Sequence, residues 1–108
     1  MNFTIESQDY ENVYLTHDNE ISVTVKNDGV TYDISNATRV TLKVGATTID
    51  SSTSADAFDW GDGDGIIKIA LGEETLNTGN YPAALVVYDA VNTNGLYIGT
   101  FKVRILSV

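Results

Sequence analysis

With 108 residues, 43% of them hydrophobic and no cysteine, the chain is sized for one domain around one core, without disulfides, thiolate chemistry or zinc–sulfur centres. Its formal net charge of −9 opposes binding to nucleic acid and to anionic membrane surfaces. No stretch approaches the roughly 20 apolar residues of a membrane-spanning helix, and MNFTIESQDY has neither the basic start nor the apolar run of a secretory leader.

Taken in chain order, the pattern has period two almost throughout. NFTIES and NVYLT are weak strand signals near the start; residues 1–16 read as either an N-terminal arm or a first strand. EISVTVKN puts Ile21, Val23 and Val25 on one face. RVTLKVG does the same with Val40, Leu42 and Val44. An acidic stretch of variable character follows. GIIKIALG gives Ile67, Ile69 and Leu71. NYPAALVVYDA, taken to begin its strand at Tyr81, gives Tyr81, Ala83, Leu85 and Val87, with Pro82 at the strand's start. LYIGTFKVRILSV gives Tyr97, Gly99, Phe101, Val103 and Ile105. Turn signals divide these runs at NDG, ISNA, GDGDG, NTGN and NTNG; the last reads as a hairpin loop. Only LGEETLN could form a helical turn. About seven short strands with regular turns specify an all-β fold, a β-sandwich or small barrel, filling residues 1–108 as one domain.

Charge is unevenly placed. Residues 1–65 hold 12 acids and 3 bases, whereas 66–108 hold 3 of each. The densest acidic segment is DWGDGDGIIK, residues 59–68. A calcium loop of the EF-hand type needs oxygen ligands at positions 1, 3, 5 and 12 and glycine at 6. Counting from Asp62, Asp64 and Glu73 fall correctly, but Ile66 and Ile67 occupy positions 5 and 6. Counting from Asp59, position 3 is Gly61 and position 12 is Ala70. Neither frame works, so no metal or other cofactor is expected; Asp59, Asp62 and Asp64 stay as weak candidates for a site of another type. A glycosidase pair needs one desolvated carboxyl, and a glycine-rich turn leaves its carboxylates wet. This segment reads as an exposed loop, with Trp60 packing on the sandwich rim.

Other chemistry is thin. His17 is the single histidine, so no histidine pair exists for a metal, and no G-x-S-x-G, G-x-G-x-x-G or P-loop spacing occurs. No catalytic residues are assigned, and the chain reads as a non-enzyme.

LNTGNY, Leu76–Tyr81, resembles the Leu-x-x-Gly-x-Tyr start of a late strand in immunoglobulin-like domains, which implies a tyrosine hydroxyl bonding back to the chain. The order of segments over residues 18–108 is similar to something narrower, the N-terminal immunoglobulin-like module of phage baseplate upper proteins and related small tailed-phage virion proteins. Asp33-Ile34-Ser35-Asn36-Ala37-Thr38 resembles that family's D-L-T-G-A-T-V segment, and Val103-Arg104-Ile105-Leu106 its closing V-x-V-L. The resemblance implies an immunoglobulin-like β-sandwich of about seven antiparallel strands in two sheets. It also implies a structural protein of the virion, assembled in the host cytoplasm in several copies per particle. Baseplate proteins continue into further domains, so a copy ending at Val108 implies a capsid decoration protein or a tail or baseplate accessory docking on other virion proteins. Phe3, Ile5, Tyr10, Tyr14 and Trp60 are the expected interaction residues. The alternatives are a carbohydrate-binding module resting on Trp60 and the tyrosines, and a calcium-dependent adhesion module.

Overall fold

The computed structural model describes residues 2–61 and 63–107. Among the described residues, ten strands form two packed sheets. They are β1 (Phe3–Glu6), β2 (Glu11–Leu15), β3 (Ile21–Asn27), β4 (Val30–Thr31), β5 (Arg39–Val44), β6 (Thr47–Asp50), β7 (Phe58–Asp59), β8 (Ile66–Ile69), β9 (Gly79–Tyr88) and β10 (Leu96–Ser107). The first sheet has the order β1-β3-β8-β7, with β4 also on β3. The second has the order β2-β10-β9-β5-β6. The fold is therefore all-β, arranged as a two-sheet sandwich.

Alternation builds the core. Val23, Val25, Ile67 and Ile69 of the first sheet and Val40, Leu42, Leu85, Val87, Phe101 and Val103 of the second are all buried, as the period-two pattern requires. Burying both inner faces is the main source of stability for a domain of this size. The strand count exceeds seven because short pairings carry little sequence signal. The two-residue β4 and β7 and the four-residue β6 lie where the sequence shows turns or an acidic stretch, and Ala55–Ala57 adds one 3-10 turn.

Three expectations are corrected. First, the pairing is not all antiparallel: β2 runs parallel to β10, with Val13 opposite Ile105. The opening segment is divided between the sheets. Its β1 pairs with β3, placing Ile5 opposite Val25, and the chain crosses to the other sheet between Glu6 and Glu11. Gln8 N–H donates to the buried Glu11 carboxylate at 3.0 Å within that crossing. Second, Tyr97 does not face inward, although Gly99, opposite the buried Leu85, does. The β9–β10 register shifts between them, so Ile98 turns into the core at 1% exposure while Tyr97 stands out at 62%. A bulge inserts one residue and reverses the phase of everything before it; Gly99, at φ +148, supplies backbone that other residues rarely adopt. Third, β9 begins at Gly79, so Pro82 lies inside it. Pro82 is tolerated because its ring nitrogen faces the end of β5, where the β5–β6 turn takes over: its carbonyl, on the same side, accepts from Gly45 N–H at 3.2 Å. LGEETLN forms a hydrogen-bonded turn, Glu74 N–H to the Leu71 carbonyl at 3.1 Å, and no helix.

The Tyr81 hydroxyl donates to the Thr78 carbonyl at 3.1 Å, the back-bond that the Leu-x-x-Gly-x-Tyr spacing implies. Arg39 clamps Asp50 from β5 to β6, its Nε 3.0 Å from both carboxylate oxygens, and its guanidinium lies 4.3 Å from the Tyr88 ring centroid. That fork, together with the Ser52 N–H, holds the Asp50 carboxyl at about 2.

Candidate docking surface

The acidic turn is a turn. Asp64 Oδ1 accepts from Ile66 N–H at 3.1 Å, which uses that carboxylate to start β8. Asp59 is exposed on β7 opposite Lys68, and Asp62 lies outside the described residues. Among the described residues no group of three or more acids and histidines converges as metal ligands would. Gly65 sits at φ +73, where an added Cβ would lie 2.5 Å from Thr31 Cγ2 and 2.9 Å from the Tyr32 carbonyl oxygen. Its conformation and its surroundings both demand glycine. Trp60 is half-buried against the core, with its indole N–H donating to the Ala37 carbonyl at 3.2 Å. The ring thus anchors the loop to the sandwich.

At one end of the molecule the β2–β3 loop, the 3-10 turn and the β8–β9 loop enclose an open groove of about 570 Å³. Five acids line it: Asp18, Glu20, Asp56, Glu73 and Glu74, with His17 beside them. Asn19 braces the loop, donating to the carbonyls of Tyr14 and His17 at 2.8 Å each and accepting from Tyr14 N–H.

The expected interaction residues of the opening segment divide. Phe3 and Ile5 are half-buried and packed on the core, and Phe3 meets the Tyr32 ring edge-on at 5.0 Å. They are occupied within the domain. Tyr14 is 37% exposed on β2. Tyr10, in the crossing between sheets, lies beneath two cations: the Arg104 guanidinium is 4.7 Å and the Lys102 ammonium 5.6 Å from its ring centroid.

Those cations belong to the outer face of the second sheet, which sequence reasoning did not single out. Strand register sets its rows. Lys43, Ala84 and Thr100 lie side by side across β5, β9 and β10. Val86 and Tyr97 continue the next row, whose third member, Thr41, is buried. Pro82 pairs with Lys102, Arg104 lies between Asn80 and Asn12, and Leu106 lies opposite Tyr14. The face is broad and part apolar. Of the chain's six cations, it carries four: Arg39, Lys43, Lys102 and Arg104. Arg39 is neutralised by Asp50. Among the described residues, Lys43, Lys102 and Arg104 have no ion pair, and all three are exposed. Asp9 stands at the rim, with Ser7, Gln8 and Tyr10 in a shallow depression beside Lys102. The signal was present in the sequence as the outward positions of alternating strands, but it appears only when three strands are laid side by side.

No protein-family model matches this chain, and no curated protein matches it. Among solved structures it is similar to an endo-β-1,4-mannanase from Thermotoga petrophila, at 15% identity and a TM-score of 0.55 over 100% of this chain and 20% of that one. It is also similar to the GspB Siglec domain, at 17% identity and a TM-score of 0.53, over 100% of this chain and 59% of that one. The chain thus spans about a fifth and about three-fifths of the lengths of these two neighbours. At such identities the likeness is one of fold.

Proposed function

We propose that this chain is a non-enzymatic docking module on an immunoglobulin-like sandwich, serving as a small structural subunit of a tailed-phage virion. The observation that carries the docking role is the outer face of the second sheet, where Pro82, Ala84, Val86, Tyr88 and Leu106 lie among three cations that have no ion pair among the described residues. A flat surface that mixes apolar area with charge suits a protein partner, because apolar contact supplies affinity and charge sets orientation. The immunoglobulin-like reading is supported by the opening segment shared between the sheets and by the Tyr81 back-bond. The virion placement rests on the resemblance in segment order, from Asp33–Thr38 to Val103–Leu106. A carbohydrate-binding role draws less support, since Trp60 spends its N–H on the Ala37 carbonyl and packs its half-buried ring against the core.

The test is immunogold labelling of phage particles from cells carrying this gene, using antibody to the purified chain. Label on capsids or tails supports the proposal. A chain recovered wholly in the soluble lysate, with clean particles, contradicts it.

A further inference from the structure

We infer that the occupant of the outer face of the second sheet is a second copy of this chain, presenting its acidic groove. The inference rests on the docking role just proposed and names the partner. Two observations meet here. Lys102 and Arg104 converge on one Tyr10 ring, at 5.6 and 4.7 Å, with no carboxylate paired to either among the described residues. Two like charges gathered on one ring favour an added anionic group, and the Asp9 carboxylate, which lines the depression beside Lys102, forms no ion pair with either among the described residues. The same molecule carries Asp18, Glu20, Asp56, Glu73 and Glu74 around one groove, and neither of its ion pairs among the described residues reaches them.

Cations and acids are therefore segregated on one chain, which makes its two surfaces complementary to each other. The two surfaces are built from separate sets of residues. The groove lies beyond the strand ends at His17, Asp56 and Gly72, while Lys43, Lys102 and Arg104 project from the flat of the sheet. Contact between different patches of identical subunits closes as a two-fold dimer where both contacts can form at once, and otherwise propagates as a ring or a filament. Such growth also suits a subunit present in many copies. Tyr10, Pro82 and Val86 give the contact apolar area, and the charges set its direction.

The experiment is sedimentation velocity on the purified chain, first at about 10 mM salt, where charges act over roughly 30 Å, then at about 1 M, where they act over about 3 Å. Wild-type chain is expected to associate at low salt, the local complementarity of face and groove outweighing the repulsion between two chains of net charge −9, and to dissociate at high salt. Two variants separate the surfaces. Lys102→Gln/Arg104→Gln removes the face, and Asp18→Asn/Glu73→Gln removes the groove; all four side chains are exposed, so the fold should persist, as circular dichroism would check. Each variant alone should lose association at least tenfold. Their equimolar mixture should form a one-to-one complex that grows no further, because each partner keeps one intact surface. A wild-type chain that stays monomeric at low salt overturns the inference, as does a variant that associates like wild type or a mixture that remains monomeric. Particle labelling in the presence of a monomeric wild type would leave the docking role standing and remove only the self-partner.

Discussion

Replacing Ile98 and Tyr97 by alanine, one at a time, separates the bulged strand from an unbroken alternation. Period two running back from Phe101 puts Tyr97 in the core and Ile98 in solvent. In the structure Ile98 is 1% exposed and Tyr97 62% exposed, because the β9–β10 register shifts at Gly99. Removing the Ile98 side chain deletes buried methylenes and leaves a cavity between the sheets. Truncations of this kind cost about 2–5 kcal/mol. Ile98 lies near the end of the sandwich, so a value near 3 kcal/mol is reasonable, or a fall in Tm of roughly 10 °C or more for a domain this small. Tyr97→Ala removes a mostly solvated ring and should stay within about 0.5 kcal/mol. Urea titration followed by intrinsic fluorescence, with Trp60 as reporter, reads both. A larger loss from Tyr97→Ala than from Ile98→Ala would refute the register, and with it the face assigned to every residue before the bulge.

Leu42, fully buried between Leu85 and Ile49, should cost about 2–5 kcal/mol when cut to alanine, and a loss below roughly 0.5 kcal/mol in the same titration would mean its face is wrong. Deleting residues 2–6 removes β1 with Phe3 and Ile5, so calorimetry should show Tm falling by several degrees; an unchanged Tm would mean the segment is an arm. The Asp50 carboxyl, held at about 2 from an ordinary 3.8, stabilises the fold above pH 4, and that contribution fades as pH falls from 4 through 2. The full linkage value is about 2.4 kcal/mol, but Arg39 is 41% exposed and solvent screens the pair, so about 1 kcal/mol should disappear in wild type over that range. Asp50→Asn should lack this component of the pH dependence, and identical acid-unfolding profiles for the two proteins would contradict the clamp.

The core was legible because strand period and burial coincide at Val23, Val25, Val40, Leu42, Ile67, Ile69, Leu85 and Val87, the buried Thr41 of β5 being the exception. Tyr81 was legible because a hydroxyl three residues from its acceptor is a local geometry. What escaped were effects of neighbouring strands. The bulge at Gly99 depends on β9 across from it, and the β2–β10 parallel pair joins residues from opposite ends of the chain. The short β6 and β7 exist because β5 and β8 offer them an edge. Of the interaction residues expected from the sequence, Tyr10 lies beside the candidate surface, whereas Phe3, Ile5 and Trp60 serve packing. Lys43, Lys102 and Arg104 read singly as ordinary solvated positions of strands; only the register collects them on one face.

Lysine acetylation of the assembled and free protein, read by mass spectrometry, tests the docking face most directly. Lys43 and Lys102 lie on the outer face of the second sheet, whereas Lys26 and Lys68 belong to strands of the first. Lys43 and Lys102 should be protected at least tenfold in the particle-bound chain relative to the free chain, with Lys26 and Lys68 reacting as before. Protection confined to Lys26 and Lys68, or equal reactivity of all four in both states, would contradict docking through that face.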